Sequence, residues 1–206
     1  MAKFKPAVAL FPAILAALLF TAGCATTDQR VNLHYEPSVP ATGGSGELYL
    51  AKGEDQPLAP KNQAGEWILG DIINKDGKNL GRAVIGISPT DLMQQAFTAE
   101  FRRAGYTVVP AKTLPGDVAK GIALSSVKIT LKEVSGPDQA VARGDVKVSV
   151  ALRRNGKMLA TLNYATVYDD TATTDRDRLL PNTLQRSLLF VMRQALSEII
   201  GLLEKQ

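Results

Sequence analysis

The sequence predicts an α/β domain of the α+β type: two layers, with a mixed, mostly antiparallel sheet and two amphipathic helices packed on one of its faces. Three observations predict it. Val127, Ile129 and Leu131 alternate with Lys128, Thr130 and Lys132, and Val146, Val148, Val150 and Leu152 alternate with Lys147, Ser149, Ala151 and Arg153. A period of two gathers apolar side chains on one face of a strand. Leu92, Met93, Ala96, Phe97, Phe101 and Ala104 recur at three-and-four spacing, as do Leu184, Leu188, Val191, Met192, Ala195, Leu196, Ile199 and Leu203. Each set forms one apolar stripe along a helix, and two such helices and a one-sided sheet can bury one another's apolar surfaces.

Taken in order, Val31, Leu33 and Tyr35 alternate with Asn32, His34 and Glu36 and read as a first strand. Residues 37–46, rich in Pro, Gly and Ser, read as a flexible connection. A short strand is expected over 47–52 and a polar loop over 53–65. The apolar segments 67–73 and 80–87 flank Asn74-Lys75-Asp76-Gly77, a hairpin signal. Ser88-Pro89-Thr90-Asp91 supplies a cap, a proline suited to the first helical position and an acid for a capping box, and Gly105 supplies the stop. A strand over 106–109 follows. Asn155-Gly156 turns the chain back after the second alternating strand, so the third runs over 157–169 and completes an antiparallel meander. A polar loop over 169–178 then leads to the last helix, with Asn182 expected as its cap.

The start of the chain carries a different message. Lys3 and Lys5 precede an uncharged apolar run over 7–20, and Thr21-Ala22-Gly23-Cys24 follows. This is the layout of a secretory signal, and the run is too short for the ~20 residues that a membrane-spanning helix needs. A cysteine directly after Ala-Gly resembles the bacterial lipobox, although Thr21 stands where Leu is usual. The resemblance implies that the Cys24 thiol is given a diacylglycerol as a thioether, that the bond between Gly23 and Cys24 is then cut, and that mature Cys24 carries three acyl chains, palmitate among them. Several chains, at about 0.8 kcal/mol per buried methylene, make a stable anchor. Ala25 after the cysteine, rather than Asp, favours the outer membrane by the enterobacterial sorting rule. The expected organisation is therefore a signal over 1–23, a lipidated tether with a short strand and linker over 24–46, and a single domain over 47–206.

Composition narrows the function classes. The chain has 206 residues, 45% apolar and 21% charged, enough for one domain. Its single cysteine precludes an intrachain disulfide. Of 24 basic residues two lie in the signal, leaving 22 against 20 acids; that balance gives no argument for nucleic acid as a partner. His34 is the only histidine, so a site built on two histidines is excluded. A lipidated Cys24 is no nucleophile. Ser125-Ser126-Val127-Lys128 has the Ser-x-x-Lys spacing, but that chemistry needs a helix and this segment reads as a strand. Asp169, Asp170, Asp175 and Asp177 lack the spacing, glycine and closing Glu of a calcium loop, and they read as a solvated loop. Neither a catalytic residue nor a cofactor or metal is expected. The one patch set aside for function is the polar face of the meander, where Lys128 and Lys132 share a face with Lys147 and Arg153 and could meet an anionic ligand.

The order of these elements resembles the YajG-like family of bacterial lipoproteins. The likeness rests on Ala-Gly-Cys24, the early Val31-Asn32-Leu33, the Ser88-Pro89 helix ending in Arg103-Ala104-Gly105-Tyr106, the turn at Asn155-Gly156-Lys157-Met158 and the last helix. It implies an outer-membrane lipoprotein facing the periplasm with no established activity and no catalytic residues to carry over. The expected function is non-enzymatic binding or scaffolding in the cell envelope, with the membrane as partner through the lipid and an anionic component or protein complex as a further partner. Auxiliary lipoprotein subunits of lipid or solute transport complexes have similar layouts and stand second; a periplasmic hydrolase stands last. If Cys24 carries the lipid, Cys24→Ser abolishes acylation. Mass spectrometry of the mature N-terminus in membrane extracts checks this, and an unmodified thiol there overturns it.

Overall fold

A computed structural model describes residues 27–52 and 59–205; the signal, Gly23 and Cys24 lie outside these residues. The elements are β1 (Gln29–Arg30), β2 (Glu47–Ala51), β3 (Trp67–Asn74), β4 (Asn79–Ile85), α1 (Pro89–Ala104), β5 (Thr107–Ala111), β6 (Lys120–Ser135), β7 (Ala140–Arg154), β8 (Lys157–Ala172) and α2 (Leu179–Glu204). They form a mixed α+β fold in which two helices pack on one sheet and on each other.

Local chemistry places α1. The Ser88 hydroxyl accepts from the Asp91 amide at 3.0 Å, and Gly105 closes the helix with φ 112°. A side chain at that φ is strained, which is why glycine stands there. The two hairpins also turn where expected: the Asn74 side chain accepts from the amides of Asp76 and Lys78, and Asn155 and Gly156 both take positive φ.

β6 is the centre of the sheet. One edge pairs antiparallel with β7 along its whole length, and β7 pairs antiparallel with β8. The other edge is divided: residues 121–123 pair parallel with β2, and 133–135 pair parallel with β3. β2 also pairs parallel with β5, β3 antiparallel with β4, and β1 parallel with β4. The sheet is antiparallel along its longest ladders, and parallel pairings join its other parts.

A bulge interrupts β6 between Leu124 and Ser126. Ile122 and Leu124 are buried before it; Ile129, Leu131 and Glu133 are buried after it. One extra residue restores the inward face after the strand has bent. This is why the alternation from Val127 shows only the second half of a sixteen-residue strand.

Three expectations at element boundaries need correction. Val31, Tyr35 and Val39 are buried, but only Gln29–Arg30 joins a ladder. The period of two in this stretch records alternating burial of an extended segment, not strand pairing. Residues 37–46 are likewise no free linker. The Glu100 carboxylate, buried on α1, accepts from the Tyr35 hydroxyl at 2.7 Å and from the Ser38 and Val39 amides, and the Gly44 amide donates to the Ala104 carbonyl. The segment belongs to the same core as the domain that follows it. Last, α2 starts at Leu179 rather than after Asn182, and no side chain caps it. Leu179 and Leu180 are buried, so the earlier start covers two more apolar residues. Pro181 is tolerated because first-turn amides lack helical partners.

α2 lies against β7 at Gly144. A Cβ there would stand 2.3 Å from the Ser187 hydroxyl and 3.3 Å from Thr183 Cγ2. Ser187 and Thr183 donate to the Thr183 and Leu179 carbonyls within the helix. Gly144→Ala is therefore expected to cost about 1–3 kcal/mol through overpacking. Gly201, where an added Cβ meets nothing within 4 Å, should gain about 0.5–1 kcal/mol on Gly201→Ala. Denaturant titration of both variants checks the opposite signs.

Candidate functional site

The meander has one face toward the helices and one toward solvent. Along β7 the even-numbered residues from Ala140 to Leu152 are buried, and the odd-numbered ones face out. Register then sets the charges. Lys128 stands directly opposite Lys147, Lys132 opposite Arg143, and Thr130 opposite Asp145 between them. Residues opposite one another in an antiparallel pair have Cβ atoms about 5 Å apart, and like charges so placed are destabilising.

The neighbouring acids compensate only in part. Arg143 reaches Asp169 of β8 at 3.7 Å, and Lys147 reaches Asp145 at 3.5 Å. One Asp145 oxygen is buried without a hydrogen-bond partner. Among the described residues Lys128 and Lys132 form no ion pair. Four exposed cations thus surround two acids.

Arg153 shares the outward face but stands opposite Gly121, six residues from Lys147 and so about 20 Å along the strand. The compact group is Lys128, Lys132, Arg143 and Lys147. Arg143 has the same parity as Lys147, but the alternating apolar run begins at Val146, and glycine at 144 hides the inward position between them.

The patch also has a fixed relation to the start of the described chain. Asp28 accepts two hydrogen bonds from Arg82, at 3.0 and 2.9 Å, and one from Asn62 at 3.0 Å. The Arg82 guanidinium beside Asp28 holds its carboxyl below the usual carboxylate range. The Thr27 carbonyl lies 2.1 Å from where a Cβ on Gly81 would be. Gly81 pairs with Ile72, Ile72 with Glu133, and Glu133 with Ala142. Lys132 and Arg143 are adjacent to the last two. Thr27 therefore lies level with the Lys132–Arg143 end of the patch, four strands from β7 and about 19 Å across the sheet.

The other sequence candidates remain apart. His34 is exposed and lines a shallow cleft with Arg30 and residues 85–87. Ser125 and Lys128 are both exposed on the bulged strand. Asp170 and Asp175 line a recess with Arg178 and Asn182. Among the described residues no three His, Cys, Asp or Glu side chains group as metal ligands, and no helix is long and apolar enough to cross a membrane. A cleft of about 620 Å³ lies between residues 39–42 and Arg193, Ser197, Ile200 and Gly201.

No family model matches the chain, and no curated protein does. Among solved structures it is similar to a Xanthomonas campestris protein of the DUF330 family, with a TM-score of 0.52, 12% identity and coverage of 85% of this chain and 95% of that one. That likeness is one of fold. A neuraminyllactose-binding hemagglutinin homolog from Helicobacter pylori has a TM-score of 0.43 at 12% identity, covering 82% of this chain and 91% of its own. A minor lipoprotein from Acinetobacter baumannii has 0.34 at 9%, covering 75% and 87%.

Behind the Lys132–Arg143 rung lies Glu133, 4% exposed, with one carboxylate oxygen lacking a partner and the other accepting from Ser135 at 3.1 Å. Burial pushes its carboxyl up, against the Ser135 hydrogen bond and the Arg176 charge. A raised folded-state value favours folding of the protonated form. The contribution is complete below the unfolded value, about 4.3, and is lost as pH rises through the folded value. Glu133→Gln should therefore melt higher than the parent at pH 7 and equally at about pH 4, measured by thermal denaturation.

Proposed function

We propose that this protein is an envelope lipoprotein of the YajG-like kind, anchored by acylated Cys24 in the outer membrane and facing the periplasm. Its role is non-enzymatic: the Lys128, Lys132, Arg143 and Lys147 face binds phosphate-bearing lipid headgroups. The observation that carries this reading is two like-charge pairs on one outward face, Lys132–Arg143 beside the rung where Thr27 meets Gly81 and Lys128–Lys147 about 13 Å further along the strands.

The Asp28 clamp makes that placement consequential. Only three residues stand between Cys24 and Asp28, a leash of at most about 14 Å. A domain on so short a leash stays beside the headgroups, so its local concentration there is high even for weak contacts. Each basic residue near an anionic surface contributes about 1 kcal/mol. Bound phosphate would also relieve the Lys128–Lys147 and Lys132–Arg143 repulsions, so ligand and fold favour each other.

Lys128→Glu tests the reading by its two opposite effects. It places an opposite charge across from Lys147 and should stabilise the unlipidated mature chain by about 0.2–1 kcal/mol. It should weaken binding to phosphatidylglycerol vesicles by more than about fivefold, since a cation is lost and an anion gained. Binding of the parent should fall steeply with added salt and be absent on neutral phosphatidylcholine vesicles. Equal vesicle binding by parent and variant sinks the proposal.

A further inference from the structure

The two longer strands at the edges of the sheet differ sharply. β5 has five residues, contains Pro110, and is followed by Lys112. Shortness, proline and lysine are the ordinary ways of preventing an edge from pairing with another chain. β8 has sixteen residues and pairs only with β7. From Leu159 to Tyr168 it contains no charge, proline or glycine. Its one irregularity is opposite Leu152 and Arg153, near its start. Among the described residues its second edge is unpaired, and its ten-residue uncharged stretch alone is about 34 Å long.

Apolar exposure gathers on the same strand. Met158 is 55% exposed, Leu159 38% and Val167 47%. Phe190, 39% exposed, packs against Tyr168 with ring centroids 5.5 Å apart. Of five large apolar side chains exposed among the described residues, only Leu80 lies away from β8 and its aromatic neighbour.

The ends of β8 indicate what covers it. Lys157 stands at the start, Asp169 and Asp170 near the end, and nothing charged lies between them. Parallel pairing of two copies would set lysine beside lysine and acids beside acids. Antiparallel pairing centred near Asn163–Tyr164 sets Lys157 of each copy against Asp169–Asp170 of the other, twice over. We infer that β8 is a self-association edge, at which a second copy of this chain adds its own β8 antiparallel about a two-fold axis. Such an interface is isologous and closes at two copies, because each chain offers one such edge. The outward faces of both meanders then lie on one side of a continuous sheet.

The inference does not depend on the anionic-face reading, and its test separates the two. In the full-length chain expressed in bacteria, Ala165→Cys introduces a thiol at an exposed position beside the axis. A short bismaleimide applied to intact membranes should then yield a product of twice the chain mass. Parent chain and Thr130→Cys, on central β6, should yield none. Adding Lys157→Glu to Ala165→Cys should lower the yield about tenfold, and adding Asp169→Lys with Asp170→Lys should restore it, as two opposite-charge pairs require. Adding Lys128→Glu should leave it unchanged. Absence of the doubled product, a product of another mass, or a yield indifferent to the Lys157 reversal overturns self-pairing.

Discussion

A β-strand can hydrogen-bond along only two edges, and this fold depends on how β6 allots them. One edge is given whole to β7, which fixes the meander and its register to single residues. The other is shared by β2 and β3, both arriving parallel at opposite ends. β3 comes close enough because Gly70 has no side chain: a Cβ there would fall 1.7 Å from the Leu131 carbonyl oxygen. The bulge near Ser125 lets both halves of β6 face the same core after the strand bends. Without these two local features the sheet would divide into a meander and a separate hairpin, and α1 and α2 would lack a common floor.

The same register that builds the core creates the unfavourable charges on the other side. Ile129 and Leu131 face inward, so Lys128, Thr130 and Lys132 must face outward; Val146 and Val148 fix Lys147 in the same way. No slip of one residue can separate Lys128 from Lys147 without turning the buried set into solvent. The repulsion is therefore held in place by hydrophobic burial, which is far larger: burying a Val or Ile side chain contributes about 1.5–3 kcal/mol, against less than about 1 kcal/mol for a cross-strand charge pair. These two like-charge pairs, held in register by the core, are what the proposed anionic-ligand reading rests on.

What the sequence made legible was whatever local chemistry decides. Ser88, Pro89 and Gly105 bound α1 because caps act on their own turn, and Asn155-Gly156 sets β8 against β7 because only such residues accept that backbone. What it hid was decided at a distance. The early part of β6 is masked by a bulge that shifts the phase of burial between Leu124 and Ser126. Val31 to Val39 alternate like a strand although their partner is largely a carboxylate on α1, sixty or more residues later. The start of α2 is set by burial of Leu179 and Leu180 rather than by a cap. In the candidate site Lys128, Lys132 and Lys147 followed from alternation, while the place of Arg143 opposite Lys132 needed the register. Arg153 shares their face, but distance along the strand separates it from them.

The clamp at Asp28 also determines how the domain bears force. A pull applied at Thr27 is borne first by one carboxylate gripping Arg82 and Asn62, then by a two-residue strand on β4. Both are slight, and releasing them pays out only a few residues of chain. The next hold is of another order: Val31, Tyr35 and Val39 sunk in the core and tied to Glu100. Tension at Thr27 therefore meets a weak catch and then a strong one, and the first releases about a nanometre of chain while the sheet and both helices stay intact.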